Sequence, residues 1–261
     1  MLRKLVTAGL VVKRCSNWTE LLASRLGYEP QTQTVRLRDG WQLQVNGSIA
    51  NSWGQFFEAA IADVYGIRQA TPDLIIDVGA NIGSFTCLAA RLHPNAKVYA
   101  FEPQHDIANI LRSNLQINGI TEVDVIVSPV TRDGRTVQFW TQAGSGSSSI
   151  CLSANSGATE MRSVTLDRIP FRQFQNAFVK LDCEGSEAEI LEWLCDNADS
   201  LSPVVTVACE YHPWAPRPIA EAAALLTQSG WRVTTQERFA ETYLFGFRQT
   251  GGVTGDKDKR I

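Results

Sequence analysis

Residues 73–93 read DLIIDVGANIGSFTCLAARLH. A short apolar run bounded by glycine has the pattern of a buried strand, and the alanine- and leucine-rich segment after Gly83 has that of a helix. In an open α/β sheet, ligands lie outside the carboxyl ends of the strands, and the turn after the first core strand feeds a helix N-terminus. Asp77 to Gly83 occupies that place: the first glycine allows a sharp turn, and the second allows close approach of a ligand or of the following helix.

Strand and helix patterns alternate beyond it: KVYAFEP (97–103), HDIANILRSNLQING (105–119), VDVIVSPV (123–130), NAFVKLDCEG (176–185), SEAEILEWLCDNA (186–198), PVVTVACEYH (203–212), a helix over 218–229, and strands near 231–239 and 242–250. This order predicts an α/β fold with a parallel sheet covered by helices on both faces. GRTVQFWTQ (134–142) and MRSVTLDRI (161–169) are further strand candidates, separated by a Gly/Ser-rich loop, 143–157. Upstream, SNWTELLASRLG (16–27) reads as a capped helix, TVRLRDGWQLQV (34–45) as a hairpin turning at Asp39-Gly40, and 53–67 as a second helix. The expected organisation is an extension over 1–70 packed on a core domain over 71–249, with a polar, disordered tail over 250–261.

A formal charge of -3 and a pI near 5.7 give no general attraction for a polyanion. Six cysteines, scattered singly without a CxxC pair, fit reduced thiols in a cytoplasmic protein. The opening MLRKLVTAGLVVKRC has an apolar run shorter than the ~20 residues of a membrane span. It predicts docking on the protein's own core, with a peripheral membrane contact as the alternative.

Two cofactors compete for the 77–83 turn. A GxGxxG fingerprint would need glycine at positions 79, 81 and 84, where this chain has Gly79, Asn81 and Ser84. Asn81 would crowd a diphosphate, and no basic residue in the turn offsets its charge. S-adenosylmethionine carries no phosphate. Glu102, ending the second core strand, can accept hydrogen bonds from a ribose diol. The donor-binding set is therefore Asp77, Gly79, Ala80, Asn81, Gly83, Glu102, Ser128 and Asp182.

DVGANIGSF (77–85), AFEP (100–103), LRSNLQINGI (111–120), GSSSI (146–150), SVTLDRI (163–169), VKLDCEGSE (179–187) and EYHP (210–213) together resemble the FkbM family of S-adenosylmethionine-dependent methyltransferases. The resemblance takes in nearly all the chain except the tail. It implies a Rossmann-like methyltransferase fold with a seven-stranded, mostly parallel sheet, acting on a hydroxyl of a sugar or secondary metabolite. A donor-binding accessory module without activity, and an RNA methyltransferase, are the alternatives.

KLDCEGSE (180–187) ends the fourth core strand, where alternation would set Lys180, Asp182 and Glu184 on one side and Leu181 and Cys183 on the other. Asp182 could touch the donor's amino group, act as a base or help bind a cation; its alternative is a helix N-cap. Glu184 and His212 complete the catalytic candidates, His212 as an acceptor of a hydroxyl proton at neutral pH. Glu210, Ser148 and Ser149 are substrate-side candidates, with Ser147 to Ser149 lining or covering the pocket. Trp53, Phe57 and Glu58 would wall the opposite side, or simply pack in the core. Asp182, Glu184 and His212 are compatible with a divalent cation, but their spacing does not require one, and no metal ligand is assigned.

Overall fold

The computed structural model describes residues 9–24, 32–46, 52–141, 148–149, 158–238 and 241–250. A short helix α1 (Trp18–Ser24) precedes an antiparallel hairpin, β1 (Thr32–Arg36) and β2 (Gln42–Asn46). Its alternation buries Val35, Leu43 and Val45, and Gly40 takes φ +94° in the turn. The next segment departs from the single helix that its sequence predicts. Helix α2 (Ser52–Gln55) passes into a π-helical stretch, Phe56–Ala62, which ends at Asp63 with φ +52°. Phe56, Phe57, Ala59, Ala60 and Ile61 are all buried, a wider inward face than a 3.6-residue period presents. The Asp63 carboxylate accepts hydrogen bonds from the amides of Ile67 and Arg68, both at 3.0 Å, and the turn it organises buries Tyr65.

The core then alternates as read: β3 (Leu74–Val78), α3 (Ser84–Leu92), β4 (Lys97–Phe101), α4 (His105–Ile117) and β5 (Val123–Ile126). A three-stranded antiparallel sheet follows, with β6 (Thr136–Thr141) between β7 (Ser148–Ser149) and β8 (Ala158–Arg162). The strand expected inside 161–169 thus begins earlier and ends at Arg162; Leu166–Arg168 is a 3-10 turn that buries Leu166. The core resumes with β9 (Asn176–Leu181), α5 (Glu187–Asp196), β10 (Val204–Glu210), α6 (Ile219–Gln228), β11 (Arg232–Arg238) and β12 (Glu241–Gln249). These strands make one seven-stranded sheet in the order β11-β12-β10-β9-β3-β4-β5. Only β12 runs antiparallel to its neighbours β10 and β11, so the fold is a Rossmann-like α/β sheet.

Strand alternation divides the core into two layers. Leu74, Ile76, Val78, Val179, Leu181, Val207 and Cys209 pack on one face beneath α5 and α6. Ile75, Val98, Ala100, Phe178, Ala208 and Tyr243 pack on the other, in the same cluster as the hairpin, the π-helical stretch and α3 and α4. The amino-terminal segment is thus part of the covering layer of the sheet. No helix among the described residues is long and apolar enough to cross a membrane.

Two asparagines one turn apart, Asn114 on α4 and Asn118 at its C-cap, attach the hairpin. The Asn114 side chain accepts from the Gln44 amide at 2.7 Å and donates to the Gln44 carbonyl at 3.2 Å; Asn118 does the same with Gln42, at 2.8 and 2.6 Å. Each carboxamide mimics a strand partner and satisfies backbone groups that an edge would leave open. Wholly buried Asn114 also donates to the Ile82 carbonyl at 2.7 Å, which couples the hairpin to the 77–83 turn. Asn114→Ala is expected to cost about 2–4 kcal/mol, since it orphans buried backbone groups as well as losing bonds. Urea unfolding reads this directly, and a loss under about 0.5 kcal/mol would refute the role of this residue.

Candidate functional site

The chain leaves β3 toward β4 and β5 and returns to β9 on the other side of β3, so a crevice opens between the carboxyl ends of β3 and β9. Gly79 sits in it at φ +79°, and a Cβ there would lie 1.7 Å from the Asp182 carbonyl oxygen. Only glycine fits. Gly83 serves packing instead, because a Cβ would meet Leu111 Cδ1 at 2.4 Å. Asn81 is left-handed at φ +48°, a conformation that asparagine tolerates better than most residues. Its backbone amide donates to Glu102 Oε2 at 3.0 Å, and that of Gln104 donates to Oε1 at 2.8 Å.

Glu102, Gly79 and Asn81 line an open cleft with Ser128, Asp182 and Glu184. Phe101, Pro103, Pro129, Val130 and Phe139 supply apolar surface for an adenine ring. Glu102 offers remaining lone pairs to a diol, and Asp182 and Glu184 offer negative charge to a sulfonium and an ammonium. No lysine or arginine among the described residues lines the cleft, so a diphosphate would find no counter-charge. These residues fit S-adenosylmethionine. Burial pushes the Glu102 carboxyl up to about 7, against the opposing pull of the two amides and of Lys180.

The other residues of the donor set have different places. Asp77 is wholly buried beneath the turn, accepting from Thr86 Oγ1 at 2.5 Å and paired with Lys180 Nζ at 3.1 Å. Ala80 and Gly83 are buried in the turn outside the cleft lining. The Ser128 hydroxyl lies between the carbonyls of Arg162 and Pro129, at 2.9 and 3.1 Å, within donating distance of either.

A polar row crosses the sheet at the strand ends, on the face that the amino-terminal segment covers. Lys180, opposite Asp77 in the β3–β9 register, donates to the Gly79 carbonyl at 2.6 Å and lies 3.5 Å from Asp182 Oδ2. Burial works against its charge, but Asp77 and Asp182 overcome this and hold its pKa above the usual lysine value. The Tyr65 hydroxyl lies 3.1 Å from both Asp182 Oδ2 and Glu210 Oε2, and the Tyr243 hydroxyl donates to Glu210 Oε2 at 3.0 Å. Burial, then the charge of Asp182, pushes Glu210 up to about 8, while His212 pulls it down.

His212 stands at the end of this row, 5% exposed. Its Nδ1 is 2.7 Å from Glu187 Oε1, an oxygen that also accepts from the amides of Cys183 and Gly185. Its Nε2 lies 3.7 Å from Glu184 Oε2 and 3.9 Å from both Asp182 Oδ1 and Glu210 Oε1. Burial opposes the ring's charge, but Glu187, then Asp182 and Glu184, lift its pKa to about 10.

Asp182, Glu184, Glu210 and His212 therefore do come together. Glu184 arrives by a different route from the one predicted. The strand ends at Leu181, and Glu184 at φ +58° with Gly185 at φ +118° forms a left-handed turn, so alternation does not extend to it. The N-cap of α5 is Ser186, so Asp182 does not occupy the capping position. Phe57 is core. The side chains of Trp53, Ser148 and Ser149, with Ser147 and residues 251–261, lie outside the described residues; the backbone of Ser148 and Ser149 pairs with Thr141 and Trp140. Sequence reasoning missed Tyr65, Tyr243 and the role of Glu187. It also missed Gln55, which lines the cleft with its Oε1 buried and without a hydrogen-bond partner among the described residues. No local pattern marks these residues, because each reaches the site through a tertiary contact.

Two measurements follow from this geometry. Lys180→Met strands Asp77 in the interior, and a loss of about 3–5 kcal/mol in urea unfolding is expected; wild-type stability would refute the pairing. Glu102 must be ionised to accept both ribose hydroxyls, and its pKa is raised, so affinity for S-adenosylhomocysteine should be full above about 7. Below that it should fall by about tenfold per pH unit. Calorimetry between pH 5.5 and 8.5 tests this, and an affinity flat across the range would contradict it.

The sequence matches the description "Methyltransferase FkbM domain" over residues 77–230, more than half of the chain. It is 24% identical over 190 residues to Methyltransferase 1 of Beauveria bassiana (strain ARSEF 2860), covering 62% of this chain and 73% of that protein. Among solved structures, precorrin-6y C5,15-methyltransferase from Geobacter metallireducens GS-15 aligns at 15% identity with a TM-score of 0.46, over 72% of this chain and 87% of that one. An O-methyltransferase family protein from Burkholderia thailandensis aligns at 12% identity and a TM-score of 0.44, over 73% of this chain and 55% of the other. The sheet order, a cleft lining without lysine or arginine and the family match converge: this chain belongs to the FkbM family of methyltransferases, which use S-adenosylmethionine.

Proposed function

We propose that the protein is an O-methyltransferase acting on a hydroxyl of a small polar molecule, a sugar or a secondary metabolite. The observation that carries this reading is the group of carboxylates at the end of the donor cleft, with Asp182 and Glu184 lining it and Glu210 and His212 behind them. A hydroxyl is a weak nucleophile, and such a wall can orient it and accept its proton. A basic stripe for RNA would look different: this end of the cleft is acidic, which disfavours a polyanion.

S-adenosylmethionine supplies a methyl group already activated on a sulfonium. The protein's work is to place the acceptor in line with it and to manage one proton. In the transfer the acceptor oxygen bonds to the methyl carbon as the carbon–sulfur bond breaks, its electron pair going to sulfur; the hydroxyl proton passes to a carboxylate and then to solvent. Asp182 is the acceptor we assign. Tyr65 and Lys180 approach its Oδ2, which fixes the group's orientation at the mouth of the crevice. Glu102 and the Gly79–Gly83 turn hold the donor.

Incubation with methyl-labelled S-adenosylmethionine and a panel of sugars and polyketide alcohols tests the reading, with mass spectrometry locating the label. An alkali-stable methyl ether on carbon-bound oxygen is the expected product; transfer only to nitrogen, carbon or RNA would overturn it. Asp182→Asn should lower kcat by about 100-fold or more while changing donor affinity much less. Equal losses in both would make Asp182 a donor contact instead.

A further inference from the structure

We propose that Asp182, Glu210 and His212 form a binding site for a divalent first-row transition cation of the Mn2+ kind. One ligand atom from each lies within 4.8 Å of the others. Carboxylates alone would not make a site, but the imidazole adds an independent observation. His212 is 5% exposed, and its Nε2 makes no hydrogen bond among the described residues. Instead it points at carboxylate oxygens 3.7–3.9 Å away. That spacing is too long for a hydrogen bond. It suits two ligands sharing one ion, because metal–ligand bonds of about 2.0–2.2 Å set neighbouring donors about 3–4 Å apart.

The second ring of contacts presents these atoms. Glu187 is wholly buried, and its Oε1, held by two backbone amides, accepts the Nδ1 hydrogen of His212. With its hydrogen on Nδ1, a neutral imidazole turns the Nε2 lone pair toward Asp182 and Glu210. A carboxylate behind a metal-binding histidine is a recurrent device for fixing tautomer and ring orientation. The tyrosines act likewise on the acids. The Tyr65 hydroxyl lies between Asp182 Oδ2 and Glu210 Oε2, and Tyr243 donates to Glu210 Oε2, so Asp182 Oδ1 and Glu210 Oε1 are the oxygens left facing His212.

Charge and ligand type point the same way. Asp182, Glu184, Glu187 and Glu210 surround one imidazole, while the nearby ammonium of Lys180 is already paired with Asp77. A cation would replace the Nε2 proton in neutralising these groups. A mixed nitrogen and carboxylate set favours manganese, iron or zinc over calcium or magnesium, which prefer oxygen alone. Asp182 also lines the donor cleft, so a hydroxyl bound there could reach the ion and be acidified by it; this last consequence rests on the O-methylation reading, whereas the site itself does not.

The test uses the full chain stripped with chelator, titrated with Mn2+ in the absence of donor and acceptor and followed by electron paramagnetic resonance and calorimetry. The expected result is one saturable site per chain, with nitrogen coupling to the manganese spectrum in the wild-type protein. His212→Gln and Glu210→Gln should each weaken it by at least about tenfold, and Glu187→Gln by about 10- to 100-fold. Absence of saturable binding, absence of nitrogen coupling, or variants that are folded by circular dichroism and bind as wild type would each overturn the proposal. Since no methyl acceptor enters the experiment, a wrong acceptor class leaves its outcome untouched.

Discussion

One buried ammonium holds the working end of this molecule together. Lys180, 3% exposed, bonds the Gly79 carbonyl, pairs with Asp77 and approaches Asp182. It therefore ties β3, the turn after it and the end of β9 into one unit across the crevice. Without it, the wholly buried Asp77 carboxylate would lose its counter-ion, and the carbonyl of the glycine turn would lose a donor. Such a cation is costly to bury alone and is tolerated because several acceptors converge on it.

The same face of the sheet explains why the site is sealed by the amino-terminal segment. Lys180, Asp182, Glu210 and Tyr243 follow the apolar residues Phe178, Ala208 and Phe245 on the layer that packs against the π-helical stretch. Tyr65 is delivered there by the Asp63 turn, and its ring packs edge-on to Phe85 and Tyr243 with centroids 5.6 and 5.8 Å away. Lys180 Nζ lies 5.5 Å from the centre of that ring. One tyrosine thus combines apolar packing, a cation–π contact and a single hydroxyl set between two acids. The 77–83 turn touches the amino-terminal hairpin through Asn114, whereas the carboxylates at the ends of β9 and β10 meet that segment directly through Tyr65.

Much of this was legible because the informative residues are local. Strand β3, the glycine turn and α3 are contiguous, and Glu102 follows β4 by one residue, so pattern and spacing suffice to bring Gly79, Asn81 and Glu102 to one crevice. The register of a parallel sheet then brings the ends of β9 and β10 to the same crevice, which is why Asp182 and His212 could be selected from strand ends. Periodicity failed where the backbone left regular geometry. Residues 56–62 adopt a π-helix to bury adjacent phenylalanines, and Glu184 leaves the strand through a left-handed turn that alternation cannot anticipate.

Sequence by itself determined the strand and helix order, the glycine at position 79, the acid at position 102 and the lack of a phosphate-binding turn, because each depends on neighbours within a few residues. Tertiary structure alone decided that Glu187 orients His212, that Tyr65 and Tyr243 each hold Glu210 by one oxygen, and that Lys180 neutralises Asp77. Those contacts join residues 25 to 145 positions apart. Their partners are chosen by which faces of the sheet and its cover meet, and no local pattern encodes that.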